Sequence, residues 1–210
     1  MAYRLGEMAT LTVDESNISK WIQDLDSLDF DKRQEAKDHL QELGTAVIEP
    51  LIAAANSLTP RKCWEAIASL VKIDDPRVGP AMCELLLSRH PIVAPIAARA
   101  LARCGEQFVD VLLAALPHSR ALTQVEMVTE LEGIGARRAV LPLMNLLRKT
   151  DSSVLRYTII QALGKLGDAR ATELIRSFQH DEDHHVHKRV HIAPRSLENA
   201  SDTRDLQHDT

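Results

Sequence analysis

The chain has 210 residues, of which 45% are hydrophobic and only 3% aromatic, with 8 glycines and 9 prolines. Apolar side chains suffice for a sizeable core, while the shortage of turn formers excludes sandwiches and barrels. Twenty-five Lys and Arg stand against 30 Asp and Glu, a formal charge of -5. That balance excludes a protein whose work is gripping nucleic acid or an anionic membrane through a cationic field.

Taken in chain order, residues 1–13 carry no periodic pattern and are expected to be disordered. Residues 14–28 form a capping helix, with Ser16 placed to cap it and Ile18, Trp21, Ile22 and Leu25 on its apolar stripe. An internal repeat then runs from 29 to 180. Leu40, Leu70, Leu101, Leu131 and Leu163 recur at steps of 30, 31, 30 and 32 residues. Four residues before them lie Ala36, Ala66, Ala97, Met127 and Ile159, and three after them Leu43, Ile73, Cys104, Ile134 and Leu166. Offsets of three and four place these side chains on one helical face.

Gly44, Gly105, Gly135 and Gly167 follow in four of the five units, where a helix end favours a residue that tolerates positive φ. A second helix comes next, with the ladder Leu51, Met82, Leu113, Leu143 and Ile175, and Ala54, Leu85, Leu116, Leu146 and Phe178 three residues on. Neither helix buries its stripe alone, whereas stacked units share one core. The expected fold is all-α, a right-handed α-solenoid of about five helix pairs with terminal capping helices. Residues 181–198 form the C-terminal cap, opened by Asp181, Glu182 and Asp183, carrying Val186, Val190, Ala193 and Leu197, and kinked at Pro194. Residues 199–210 are polar and expected to be disordered.

Two segments resemble the turn and second-helix opening of HEAT repeats. They are Gly135-Ala-Arg-Arg-Ala-Val-Leu-Pro-Leu143 and Gly167-Asp-Ala-Arg-Ala-Thr-Glu-Leu-Ile175, and Asp75-Pro-Arg-Val78 belongs to the same pattern. More narrowly, they are similar to the short HEAT-like repeats named after phycobilisome bilin lyases. The third unit departs, with Glu106, Gln107 and Phe108 where the Asp/Arg pair would fall. The resemblance covers roughly residues 29 to 197 and implies a fold more than an activity. What it adds is a rival reading: a bilin lyase or phycobiliprotein-maturation subunit, working with a second solenoid as a hetero-oligomer and handling a linear tetrapyrrole.

Candidate chemistry is sparse. His184, His187 and His191 share one face of the terminal helix, opposite Val186 and Val190. Imidazoles at that spacing can chelate a divalent metal or sense pH, though read as structure alone they are a wet outer face. HEAT-like deoxyhypusine hydroxylases use His-Glu pairs, and none of the nine histidines here precedes a glutamate. Cys83 and Cys104 sit among core positions, and Cys63 beside Trp64 is expected to be partly exposed; inert thiols are the better account of all three. Three cysteines without metal spacing fit a reducing compartment. No apolar run reaches the ~18 residues of a membrane span, and the first residues lack the apolar stretch of a signal peptide, so a cytoplasmic protein is expected. Arg77, Arg138 and Arg170 recur at the second-helix starts, where they can form an anion-binding ladder or, on the structural reading that is favoured, pair with turn acids or with acids of the adjacent unit.

The remaining candidate is a protein-binding surface. Within the resembled architecture the second helices line the concave side. Its outward positions include Glu49, Glu84, Leu87, Val111, Leu141, Asn145, Arg148 and Glu173. Apolar Leu87, Val111 and Leu141 lie centrally and polar residues rim them, the anatomy of a partner-binding patch. The function expected is a non-enzymatic adaptor or scaffold docking a protein partner, without catalytic residues.

Overall fold

The computed structural model describes residues 15–193, and among these there are twelve α-helices and no strand. The chain falls into two compact units, Met1–Asp75 and Pro76–Thr210. The expectations for residues 1–13, Pro194, Leu197 and 199–210 lie outside the described residues.

The first unit holds α1 (Glu15–Asp24), α2 (Phe30–Glu42), α3 (Ile48–Ala55) and α4 (Pro60–Leu70). Asp29 starts α2: its backbone is extended and its carboxylate accepts from Asp31 N at 2.9 Å and Lys32 N at 3.4 Å. Pro60 opens α4 at the position where its missing N–H costs nothing. α1 packs on α2 and α3, and α4 packs on α2 and α3. Ile18 and Leu25 of the first segment are buried, and Trp21 stacks on His39 with ring centroids 4.6 Å apart. Ser16 lies inside the first turn of α1 rather than ahead of it, because the helix already begins at Glu15.

The second unit holds α5 (Val78–Leu86), α6 (Val93–Arg103), α7 (Val109–Ala115), α8 (Ala121–Ile134), α9 (Val140–Leu147), α10 (Ser153–Leu166), α11 (Thr172–Arg176) and α12 (His184–Val190). The first helices of successive repeats lie side by side, α6 on α8, α8 on α10 and α10 on α12, while the second helix α5 packs on α7. All five column leucines, Leu40, Leu70, Leu101, Leu131 and Leu163, are fully buried, as are Ala66, Ala97, Met127 and Ile159. Each buried leucine contributes about 2 kcal/mol, and it does so against neighbouring helices. Three residues on, the pattern weakens: Leu166 is buried, but Leu43, Ile73, Cys104 and Ile134 are only half-buried at the helix ends.

The four turn glycines adopt positive φ, from +56° at Gly44 to +76° at Gly135. At Gly135 the chain reverses with Ala136 N donating to Leu131 O at 3.1 Å. These turns differ in length, and the difference corrects one column. Gly135 and Gly167 stand five residues before Val140 and Thr172, whereas Gly105 stands four before Val109. The buried ladder residue of α7 is therefore Leu112, fully covered, and Leu113 is half-buried.

Ion pairs and hydrogen bonds one repeat apart fasten the first-helix layer. Lys37 reaches Glu65 at 3.1 Å, Arg99 approaches Glu126 and Glu130, and Glu132 accepts from Lys165 at 2.5 Å and Gln161 at 3.2 Å. Tyr157 and Arg189 continue the series between α10 and α12. The arginines at the second-helix starts also act structurally. Arg138 bridges back to Asp110 and Glu106, and Arg170 clasps Asp168 of its own turn at 2.6 Å.

Gly135→Ala should lower stability by about 1–2 kcal/mol, because a Cβ there is strained by φ alone and meets no other atom within 4 Å. Gly133→Ala, two residues earlier inside α8 and equally open, should instead raise it by about 0.5–1 kcal/mol. Urea midpoints of the two variants, compared with the parent, check the opposite signs.

Candidate interaction surface

The second helices of the Pro76–Thr210 unit present a face that no other described helix covers. On α9, Leu141, Asn145 and Arg148 follow at offsets of four and three and all are exposed, Leu141 to 51%. Leu87, at the end of α5, is 40% exposed, and Glu84 one turn earlier is exposed. Glu173 on α11 is exposed but pairs within its own helix, with Arg176 at 2.9 Å. Glu49 is exposed on α3 of the other unit.

Val111 does not belong among these exposed positions. The shorter turn at Gly105 rotates α7 by about 100° relative to the anticipated phase. Val111 is consequently half-buried over α5, where its Cγ2 would stand 3.9 Å from a Cβ on Gly79. The outward residues of α7 are Asp110 and Ala114.

Between α7 and α9 the same face opens into a pocket of about 640 Å³. Leu113, Leu116, Pro117, Pro142 and Leu146 make its apolar wall, and Lys149 and Asp151 stand at its edge. Leu113 and Leu146, anticipated in the core ladder, are half-buried because they form this wall. Two of its polar side chains are held in place: Gln124 Nε2 donates to Leu116 O at 2.9 Å, and Asn145 Oδ1 accepts from Arg148 at 3.2 Å. In the Met1–Asp75 unit a separate pocket of about 660 Å³ lies along α1 and α3, lined by Ile18, Ile22, Pro50 and Ala53. Leu28, Phe30, Leu58, Leu122 and Val154 are also exposed, near the starts of first helices.

The histidine-bearing end is ordered around α12. Asp183 caps this helix, accepting from His185 N at 2.8 Å and Val186 N at 3.3 Å, and Val186 and Val190 are buried against α10. His184, His187 and His191 form a row on the other side, their ring centroids 6.5 and 4.8 Å apart in sequence. His187 Nδ1 is engaged with Gln179 O at 2.7 Å. Among the described residues no group of three or more His, Cys, Asp or Glu is arranged to hold a metal ion.

The thiols are distributed differently from the expectation. Cys63 is the fully buried one, and burial pushes its thiol up to about 11; Cys83 and Cys104 are half-buried. Cys63 lies one turn before Ile67 and two before Leu70 on the packed side of α4, which its neighbour Trp64 does not share.

This geometry defines an all-α helical-repeat protein of the α-solenoid class, and no described helix is long and apolar enough to cross a membrane. Residues 109–192 match the family model for HEAT repeats. Among solved structures, human deoxyhypusine hydroxylase in complex with glycerol is similar over 89% of this chain and 75% of its own, at 19% identity and a TM-score of 0.52. Computationally designed armadillo repeat proteins for modular peptide recognition match at 17% identity and 0.48, covering 86% and 99%. The CpcE–CpcF complex of phycocyanin lyase from a Nostoc species matches at 18% identity and 0.40, covering 90% and 79%. No curated protein matches the chain in sequence. At these identities the likeness is one of fold.

One ion pair holds α12 in place. Arg156 of α10 grips Asp181 at 2.7 and 3.0 Å, with both side chains largely buried. Burial alone would raise the Asp181 carboxyl, but the hydrogen bonds from Arg156 and the Asp183 amide, with the Arg156 charge, bring it below the ordinary carboxylate value. Stability from the pair is therefore complete above about pH 4 and is lost as pH falls through the lowered value. Asp181→Asn should reduce the urea midpoint at pH 7 and flatten its decline below about pH 4, measured by helical circular dichroism.

Proposed function

We propose that this protein is a HEAT-like repeat adaptor that docks a protein partner on the second-helix face of its Pro76–Thr210 unit. The observation that carries this reading is a set of charges that the fold leaves unpaired. First-helix charges are joined across repeats and Arg138 is engaged with Asp110 and Glu106, whereas Glu84, Arg148 and Lys149 on the second-helix face make no ion pair among the described residues. Beside those charges lie exposed Leu87 and Leu141 and an apolar pocket. A surface left apolar and electrostatically open on a stiff repeat is suited to capturing another chain. Leu141 and the pocket wall supply burial, and Glu84, Asn145 and Arg148 set register.

Leu87→Asp combined with Leu141→Asp should abolish partner capture, since burying an unpaired carboxylate costs several kcal/mol. Both positions are exposed, so circular dichroism and the urea midpoint should be unchanged. Quantitative mass spectrometry of proteins retained from native lysate would compare this variant with the parent and with Arg99→Ala on the first-helix layer. Proteins kept by the parent and by Arg99→Ala but lost from the double variant support the proposal; equal retention by all three overturns it.

A further inference from the structure

The pocket between α7 and α9 carries information about what it takes. Its interior is aliphatic, built from Leu113, Leu116, Pro117, Pro142 and Leu146. Aromatic rings are absent from its wall, so a branched aliphatic side chain finds dispersion contacts there without a stacking partner. Lys149 stands at its edge and Arg148 one residue away; among the described residues neither meets an acid, and the Arg148 guanidinium donates to Asn145 Oδ1 at 3.2 Å. Asp151 is the single acid at this edge.

The cations do not stop at α9. Arg89 lies just past the end of α5 and is exposed. The C-terminal ends of α5 and α9 thus carry Arg89 and Arg148 with Lys149 along one edge. The acids of α5 and α7 stand one or more turns toward the N-terminal side, at Glu84 and Asp110.

We infer that the segment taken by this face is an acidic peptide. Its aliphatic side chain fills the α7–α9 pocket, and its carboxylates meet the cations at the C-terminal ends of α5 and α9. The inference rests on the docking face proposed above and specifies the chemistry of its occupant. Charge-assisted contacts of this kind add specificity and a dependence on salt.

The test is selection from a phage-displayed library of random dodecapeptides on the immobilised full-length protein. The recovered sequences should be rich in Asp and Glu around Leu, Ile or Val. A fluorescein-labelled peptide from that pool should lose about tenfold or more in affinity between about 50 and about 500 mM NaCl. Arg148→Glu with Lys149→Glu should reverse the selection toward Lys- and Arg-bearing sequences, and Leu146→Trp, filling the pocket, should weaken the acidic peptide at unchanged circular dichroism. A neutral or basic pool that is still blocked by Leu87→Asp with Leu141→Asp would overturn the acidic chemistry and leave the docking face standing. An empty selection, or peptides indifferent to that double variant, would overturn both.

Discussion

Every described helix of this protein is too short to be stable by itself. The longest described helices, α8 and α10, have 14 residues, and α11 has five, at or below the length at which isolated helices become marginal in water. Their stability comes from laying an apolar stripe against the next helix. That is why the leucine column and the position four residues before it are filled by buried Leu, Ala, Met or Ile in all five repeats. A repeat chain bound by this constraint tolerates variety elsewhere, and it leaves any face that has no neighbour open to another molecule.

The constraint also explains which parts of the structure were legible in the sequence. The first-helix columns were, because an error in their phase would expose leucine. The positive-φ glycines were, because a helix reversing within a few residues needs them. The second-helix phase in the third repeat was not. Residues 109 to 116 read Val-Asp-Val-Leu-Leu-Ala-Ala-Leu, so Leu112 and Leu113 serve equally well on a pattern argument. Only the turn length, one residue shorter after Gly105 than after Gly135, decides between them. The signal was present in the missing Asp/Arg pair of that turn. It moved Val111 from the face into the packing and brought Leu113 out.

A similar ambiguity concealed the pocket. Leu146 is three residues beyond Leu143, the spacing of a core position, yet the buried partner on α9 is Leu147, four residues on. Offsets of three and four are both compatible with one stripe, and the neighbour's height decides which is covered. The outward positions were easier to place. Leu141, Asn145 and Arg148 are exposed as their spacing implied, since a helix with so wide an apolar stripe has few positions left for them.

Charge partition links the fold to the proposed role. In the first-helix layer, acids and bases recur one repeat apart and close on each other, so each contact joins neighbours and spends its charge internally. Such pairs are individually weak at a surface, but they fix the lateral register of helices that hydrophobic stripes alone would let slide. The second-helix layer has no equivalent need, because the turns before α9 and α11 are already held by Arg138 and Arg170 acting on Asp110, Glu106 and Asp168. Arg148 and Lys149 are then surplus to folding. At the end of α9 they face the negative pole of the helix, which favours cations there, and the same placement sets two positive charges beside an apolar recess. A ligand carboxylate reaching that recess meets charges the protein has not used elsewhere, and the aliphatic group next to it finds a wall of leucine and proline already desolvated on one side.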